Sequence, residues 1–160
     1  MEKTTDMETN SKNEFGVVGT VEFKITRKDG SILTQTLKNL ITTWGLSTMA
    51  AALSGSAINP AIQYLALGTG STAATEGDTS LESETNRELV TVTHLGGADA
   101  HKVEYNKAWA EGAITGTFRE AGLFDAASLG NMFNRNVFSE ITVAVTDTFE
   151  VTWTIEFKNI

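Results

Sequence analysis

The chain has 160 residues, a formal net charge of −8 and a pI near 4.7. An acidic surface repels phosphate and argues against direct nucleic-acid binding, and the absence of cysteine excludes disulfides and thiolate metal sites. No run of 18 apolar residues occurs, so no membrane-spanning helix is expected, and the first residues lack the apolar segment of a secretory signal.

This length predicts one domain, able to bury roughly 70% of its unfolded surface. Threonine occurs 24 times and proline once. Thr is stiff at χ1 and suits a pleated, half-exposed surface, so the bias favours strands.

Residues 1–14 are polar, with Met1 and Met7 as the only apolar side chains. Such a segment cannot bury enough surface to offset its own ordering entropy. It is expected to be either a free tail or an arm that orders on a neighbour; as an arm, Met1, Glu2, Lys3, Thr4, Thr5 and Asp6 are candidate partner contacts. Residues 15–160 form the predicted domain.

Residues 17–37 read as a β-hairpin. Val21, Phe23 and Ile25 alternate with polar residues, Asp29-Gly30 signals a type I′ turn, and Leu33 and Leu37 return on one face. Residues 42–54 carry the one helical pattern. Thr42 or Thr43 can cap it, and Leu46, Met49, Ala50 and Leu53 predict an apolar stripe facing the sheet. Residues 62–67 predict a short apolar strand, and 68–80 a flexible polar loop. Further strands are expected over 87–93 and 102–109, with Val103, Tyr105, Lys107 and Trp109 on one face of the latter.

Residues 113–125 form another strand, in which Gly116 and Gly122 predict a bulge or a close backbone approach. Residues 132–138 follow. Residues 147–157 give the cleanest alternation, with Phe149, Val151, Trp153, Ile155 and Phe157 sharing one face. Eight or nine short strands and one helix predict an all-β fold: a single antiparallel β-sandwich or jelly-roll-like domain with one short helix and an extended N-terminal arm.

The candidates for chemistry are few. Residues 68–73, GTGSTA, match the G-x-G-x-x-A dinucleotide fingerprint. That chemistry needs a helix directly after the glycines, and Gly77 interrupts one. His94 and His101 bracket Asp99 without a third marked ligand. No pair of carboxylates stands out for glycoside hydrolysis. Arg119 and Glu120 are expected to form an internal ion pair, and no nucleophile elbow is present. No enzyme activity, cofactor or metal is therefore expected. The tryptophans and most phenylalanines sit at core-type positions, whereas Phe133 and Phe138, beside the loop at 126–131, are candidates to reach a partner subunit.

The order of blocks carries a further signal. NLITTWG (39–45) precedes a small-residue helix. YLALGTGSTAATEGDTSLESE (64–84) follows, then REAGLFDAASLGNMFNRNVF (119–138) and DTFEVTWTIEF (147–157). Together these resemble small all-β virion proteins of tailed bacteriophages, described as capsid decoration, head-fibre or tail-fibre components. The resemblance spans residues 39–157, of which 102–116 carry no part of it. It implies a virion structural protein, assembled in the bacterial cytoplasm, that binds the major capsid protein or tail proteins as a homo-oligomer, dimer or trimer. Capsid decoration is the leading expectation and a tail-fibre or baseplate adaptor the alternative. A carbohydrate-binding β-sandwich module stands outside the family.

Overall fold

A computed structural model describes residues 15–56 and 61–159. Nine strands and one α-helix follow in the order β1 (Phe15–Thr26), β2 (Ile32–Ile41), α1 (Thr43–Leu53), β3 (Tyr64–Gly68), β4 (Glu84–Leu89), β5 (Thr91–His94), β6 (Lys102–Trp109), β7 (Gly116–Phe124), β8 (Met132–Val143) and β9 (Thr148–Asn159). The strands form one sheet in the order β4-β3-β7-β8-β2-β1-β9-β6-β5, with every pair antiparallel. The expected all-β fold with one short helix is what the chain adopts. The candidate arm at residues 1–14 lies outside the described residues.

The sheet folds on itself as a flattened, nearly closed barrel, because two strands change layers. β2 pairs with β1 over most of its length, then with β8 through Leu40 and Ile41. At the other corner, the single strand expected over 87–93 is divided at Val90. Leu89 pairs with Tyr64 of β3, while Thr91 pairs with Asn106 of β6. Val90 is buried in the core between them. Strands that switch layers make the corners of such sandwiches. Glu88 of β4 fastens this corner, accepting from Trp109 Nε1 (2.9 Å) and pairing with Lys107 Nζ (2.6 Å), both on β6.

Alternation decides what enters the core. Val21, Phe23 and Ile25 of β1 meet Phe149, Val151, Trp153 and Ile155 of β9, all essentially inaccessible. Phe149 stacks on Trp109 at 5.3 Å and on Phe118 at 6.2 Å, while Phe23 meets Phe138 at 4.3 Å. Burial of these rings supplies the largest share of apolar stabilisation.

Two local expectations change. The hairpin connection spans residues 27–31 with Gly30 alone at positive φ, so Asp29-Gly30 does not form a two-residue type I′ turn. Asp29 Oδ1 instead accepts from the Ser31 amide (2.9 Å) and hydroxyl (2.6 Å). In α1 the expected stripe holds only at Met49, which packs against the core: Leu46, Ala50 and Leu53 are exposed, and Gly45 and Thr48 face inward. Thr42 sets this rotation. Its hydroxyl caps the helix at Gly45 N (3.1 Å) while donating to Met132 O (2.6 Å). A Cβ on Gly45 would stand 2.3 Å from Phe133 O, so the helix rests directly on β8.

Trp153 is 0% exposed at the centre of the barrel. Replacing it with alanine is expected to cost about 3–5 kcal/mol, read by denaturant unfolding. A loss below about 1 kcal/mol would show that β9 does not anchor the core.

Candidate functional site

The two blocks that dominate the sequence meet at one buried carboxylate. On β7, Phe118 faces the core, yet so do Ala121 and Leu123, which have the opposite parity. The β7–β8 register shifts between Phe118 and Glu120. That irregularity turns Glu120 to the outer face of the sheet, beneath the loop at residues 69–83.

Glu120 is 0% exposed. Its Oε1 accepts from Gly70 N (3.0 Å) and Ser83 N (2.7 Å). Its Oε2 accepts from Glu82 N (3.0 Å) and from Arg135 Nε (3.1 Å) and Nη2 (2.8 Å). Arg135, equally buried, reaches on to Asp78 Oδ2 (2.7 Å). The expected Arg119–Glu120 pair is therefore not formed. Arg119 pairs instead with Glu140, on an exposed part of the surface.

The GTGST segment does cradle an anion, but the anion belongs to the protein. The Ser71 and Thr72 amides donate to Glu82 Oε2 (both 2.8 Å), and the Thr72 hydroxyl donates to Oε1 (2.8 Å). The Thr72 bonds hold the Glu82 carboxyl below its usual range. Burial pushes Asp78 upward, but bonds from Thr75 and Arg135 outweigh it and leave Asp78 below its usual range as well. Glycine is required where the carboxylate arrives. A Cβ on Gly68 would lie 2.6 Å, and on Gly70 2.5 Å, from Glu120 Oε1. The loop expected to be flexible is thus tied down along its length. It also bonds α1, through Thr43 N to Glu76 O (2.8 Å). Beneath it Leu81 packs with Ala66, Phe124 and Met132.

A second loop, residues 125–131, is fixed in the same manner. Asp125 is buried and accepts from the Asn131 amide (2.7 Å) and its side chain (2.8 Å). Arg87 lies 3.6 Å from the Phe124 ring centroid and donates to Ala126 O (3.0 Å) and Leu129 O (2.7 Å). Leu129 forms the tip. It is 88% exposed and holds φ +55°, a left-handed conformation that favours glycine or asparagine.

The remaining candidates separate. Met1, Glu2, Lys3, Thr4, Thr5 and Asp6 lie outside the described residues. Phe133 and Phe138 do not reach outward. Phe133 sits at the second β7–β8 irregularity beneath α1, and Phe138 packs on Phe23, so both belong to the core. His94 bonds Ala100 O (2.7 Å), and His101 lies 3.4 Å from Glu156. Among the described residues, no three His, Cys, Asp or Glu side chains are grouped to hold a metal. An apolar cavity of about 330 Å³ opens beside α1, lined by Met49, Leu53, Ile62, Val103, Tyr105 and Phe157. Burial pushes the Tyr105 hydroxyl up to about 12. Compared with protein-family models, curated proteins and solved structures, the chain matches none.

Arg135→Met leaves Glu120 buried without its counter-charge. It is expected to cost about 3–5 kcal/mol, together with loss of hydrogen-exchange protection at Gly70, Glu82 and Ser83. A cost within about 0.5 kcal/mol would show the pair to be dispensable. Glu82 has a folded pKa below its unfolded value, so its stabilisation is present above the unfolded pKa and is lost as pH falls through the folded one. Glu82→Gln is thus expected to melt below the parent at pH 7, with the gap narrowing as pH falls below the ordinary carboxylate range. Parallel melting curves at every pH would contradict this.

Proposed function

We propose that this chain is a structural protein of a tailed-bacteriophage virion, a decoration protein that docks on the assembled capsid shell and stabilises it. The observation that carries a docking role is Leu129. A large apolar side chain in a left-handed conformation costs roughly 1–2 kcal/mol, and glycine would remove that cost. Here the conformation is enforced by Asp125 and Arg87, and the side chain it presents is 88% exposed. A preorganised apolar knob of this kind loses little entropy on binding.

The virion assignment rests on the resemblance. The blocks that carry it, residues 64–84 and 119–138, are the ones that build the Glu120 network and the Leu129 loop. The buried charges of that network hold backbone and each other, which favours a scaffold over a catalyst. The tryptophans argue against a sugar-stacking module: Trp109 and Trp153 are core residues, and Trp44 packs against the core. The implied partner is the major capsid protein, met in the bacterial cytoplasm where heads assemble.

Gold-labelled antibody against the chain, imaged on intact virions, tests the assignment. Label over the head is the expected result. Label confined to the tail would replace the shell reading with the tail-component one, and unlabelled virions would remove both. On purified heads, Leu129→Glu is expected to weaken binding by about tenfold or more while shifting stability by no more than about 0.5 kcal/mol. Unchanged affinity would discard the knob.

A further inference from the structure

β2 carries a long open edge of the barrel. Among the described residues, its stretch from Ile32 to Asn39 has β1 as its only ladder partner. On the other side, β8 joins it at Leu40 and Ile41 and then diverges. Asn136 Nδ2 marks the fork by bonding Lys38 O (2.8 Å). Beyond the fork, Ile32 is 61% and Leu33 50% exposed. Residues 32–37 read ILTQTL, without a charge, a proline or a bulge. Edges are ordinarily blunted by one of these, and an edge that has none is a template for another strand.

The sequence of this edge indicates which strand it fits. Leu33-Thr34-Gln35-Thr36-Leu37 reads identically in both directions. A two-fold axis at Gln35 would set it antiparallel to itself. Leu33 would then face Leu37 of the partner subunit, and Thr34 would face Thr36 of the partner subunit. Thr–Thr and apolar cross-strand pairs are favourable, and no like charges meet, since Lys38 falls opposite Ile32 of the partner subunit.

The backbone polarity agrees with this register. The Lys38 carbonyl points away from β1, toward Asn136, and Thr42 N–H points the same way, to Phe133 O (3.0 Å). Peptide groups alternate along a strand. The N–H and C=O of Ile32, Thr34 and Thr36 therefore also point out of the edge. With the axis at Gln35, Thr34 and Thr36 of the partner subunit exchange both backbone bonds, and Gln35 occupies a non-hydrogen-bonded pair. A register displaced by one residue would oppose outward-pointing groups to inward-pointing ones and form no ladder.

We propose that the chain forms a two-fold homodimer through antiparallel β2–β2 pairing about Gln35, which continues the sheet from one subunit into the next. This stands on β2 alone and does not depend on the virion assignment.

Sedimentation or light scattering of the full chain is expected to give twice 17.2 kDa. Thr34→Pro removes an outward N–H at an edge position where proline is tolerated, and it is expected to give a folded species of 17.2 kDa. Because the chain has no cysteine, Gln35→Cys places a single thiol on the axis. There the paired Cα atoms lie about 4.5 Å apart, within disulfide reach. Oxidation is expected to crosslink Gln35→Cys and to leave Asp99→Cys, on an exposed turn, uncrosslinked. A parent chain that is monomeric or larger than a dimer overturns the proposal. So does a dimer that persists in folded Thr34→Pro, or a Gln35→Cys variant that crosslinks no faster than Asp99→Cys. If Thr34→Pro fails to fold, the crosslink decides.

Discussion

The outer half of this molecule depends on satisfying one buried carboxylate. An ion taken out of water costs several kcal/mol unless it is paired and hydrogen-bonded. Glu120 meets that demand with Arg135 and with the amides of Gly70, Glu82 and Ser83. The amides belong to a loop that would otherwise have no reason to cross the sheet. Bringing them in lays residues 69–83 over the outer face, so Leu81 can cover Ala66, Phe124 and Met132. It also positions Asp78 for Arg135 and Glu76 for the start of α1. Gly68, Gly70 and the β7–β8 irregularity are the steric conditions for this, because any side chain at either glycine would collide with Glu120.

Closure of the barrel has a similar economy. Two corners, one at Val90 and one where β2 passes from β1 to β8, turn a nine-stranded sheet back on itself. The free edges at the Val90 corner belong to short strands: β5 covers only Thr91–His94, and Glu88 ties β4 across to β6. The β2 corner is different. The divergence of β8 leaves a longer, uncharged edge, because Phe138, Ile141 and Val143 follow the core inward instead of accompanying β2. The same geometry that closes the core therefore leaves open the β2 edge on which the proposed dimer rests.

The sequence made the barrel wall legible wherever one face is buried along a whole strand. β1 and β9 alternate cleanly and their inward residues are the ones expected; in β6 Val103, Tyr105 and Trp109 join the core, while Lys107 pairs with Glu88. Legibility failed where tertiary contact overrides periodicity. The break at Val90 has no glycine or proline to mark it, since a buried valine makes the corner. The face of α1 is set by the Thr42–Met132 bond and by the close approach at Gly45, which no hydrophobic stripe records. Glu120 is legible as a charge in a glycine-containing strand, but its partner lies fifteen positions away on the next strand, beyond the reach of local pattern, which offers only the adjacent Arg119. Phe133 and Phe138 border a loop in sequence, yet the β8 irregularity and the core claim them. Leu129 carried no signal, because positive φ at a leucine is a property of its fixed surroundings.

The excess of acidic residues also finds a physical role. The chain holds 20 Asp and Glu against 12 Lys and Arg. Several of these carboxylates hold loop amides, Asp78 and Asp147 while also ion-paired: Asp29 at Ser31, Asp78 at Thr75, Glu82 at Ser71 and Thr72, Asp125 at Asn131, and Asp147 at Ala144. Charge-assisted bonds of this kind are shorter and stronger than neutral ones. They fix loops without requiring apolar burial, which suits connections that must remain on the surface. The acidity that first argued against nucleic acid is therefore also the means by which this protein holds its loops in shape, and the exposed Leu129 is presented by one of those loops.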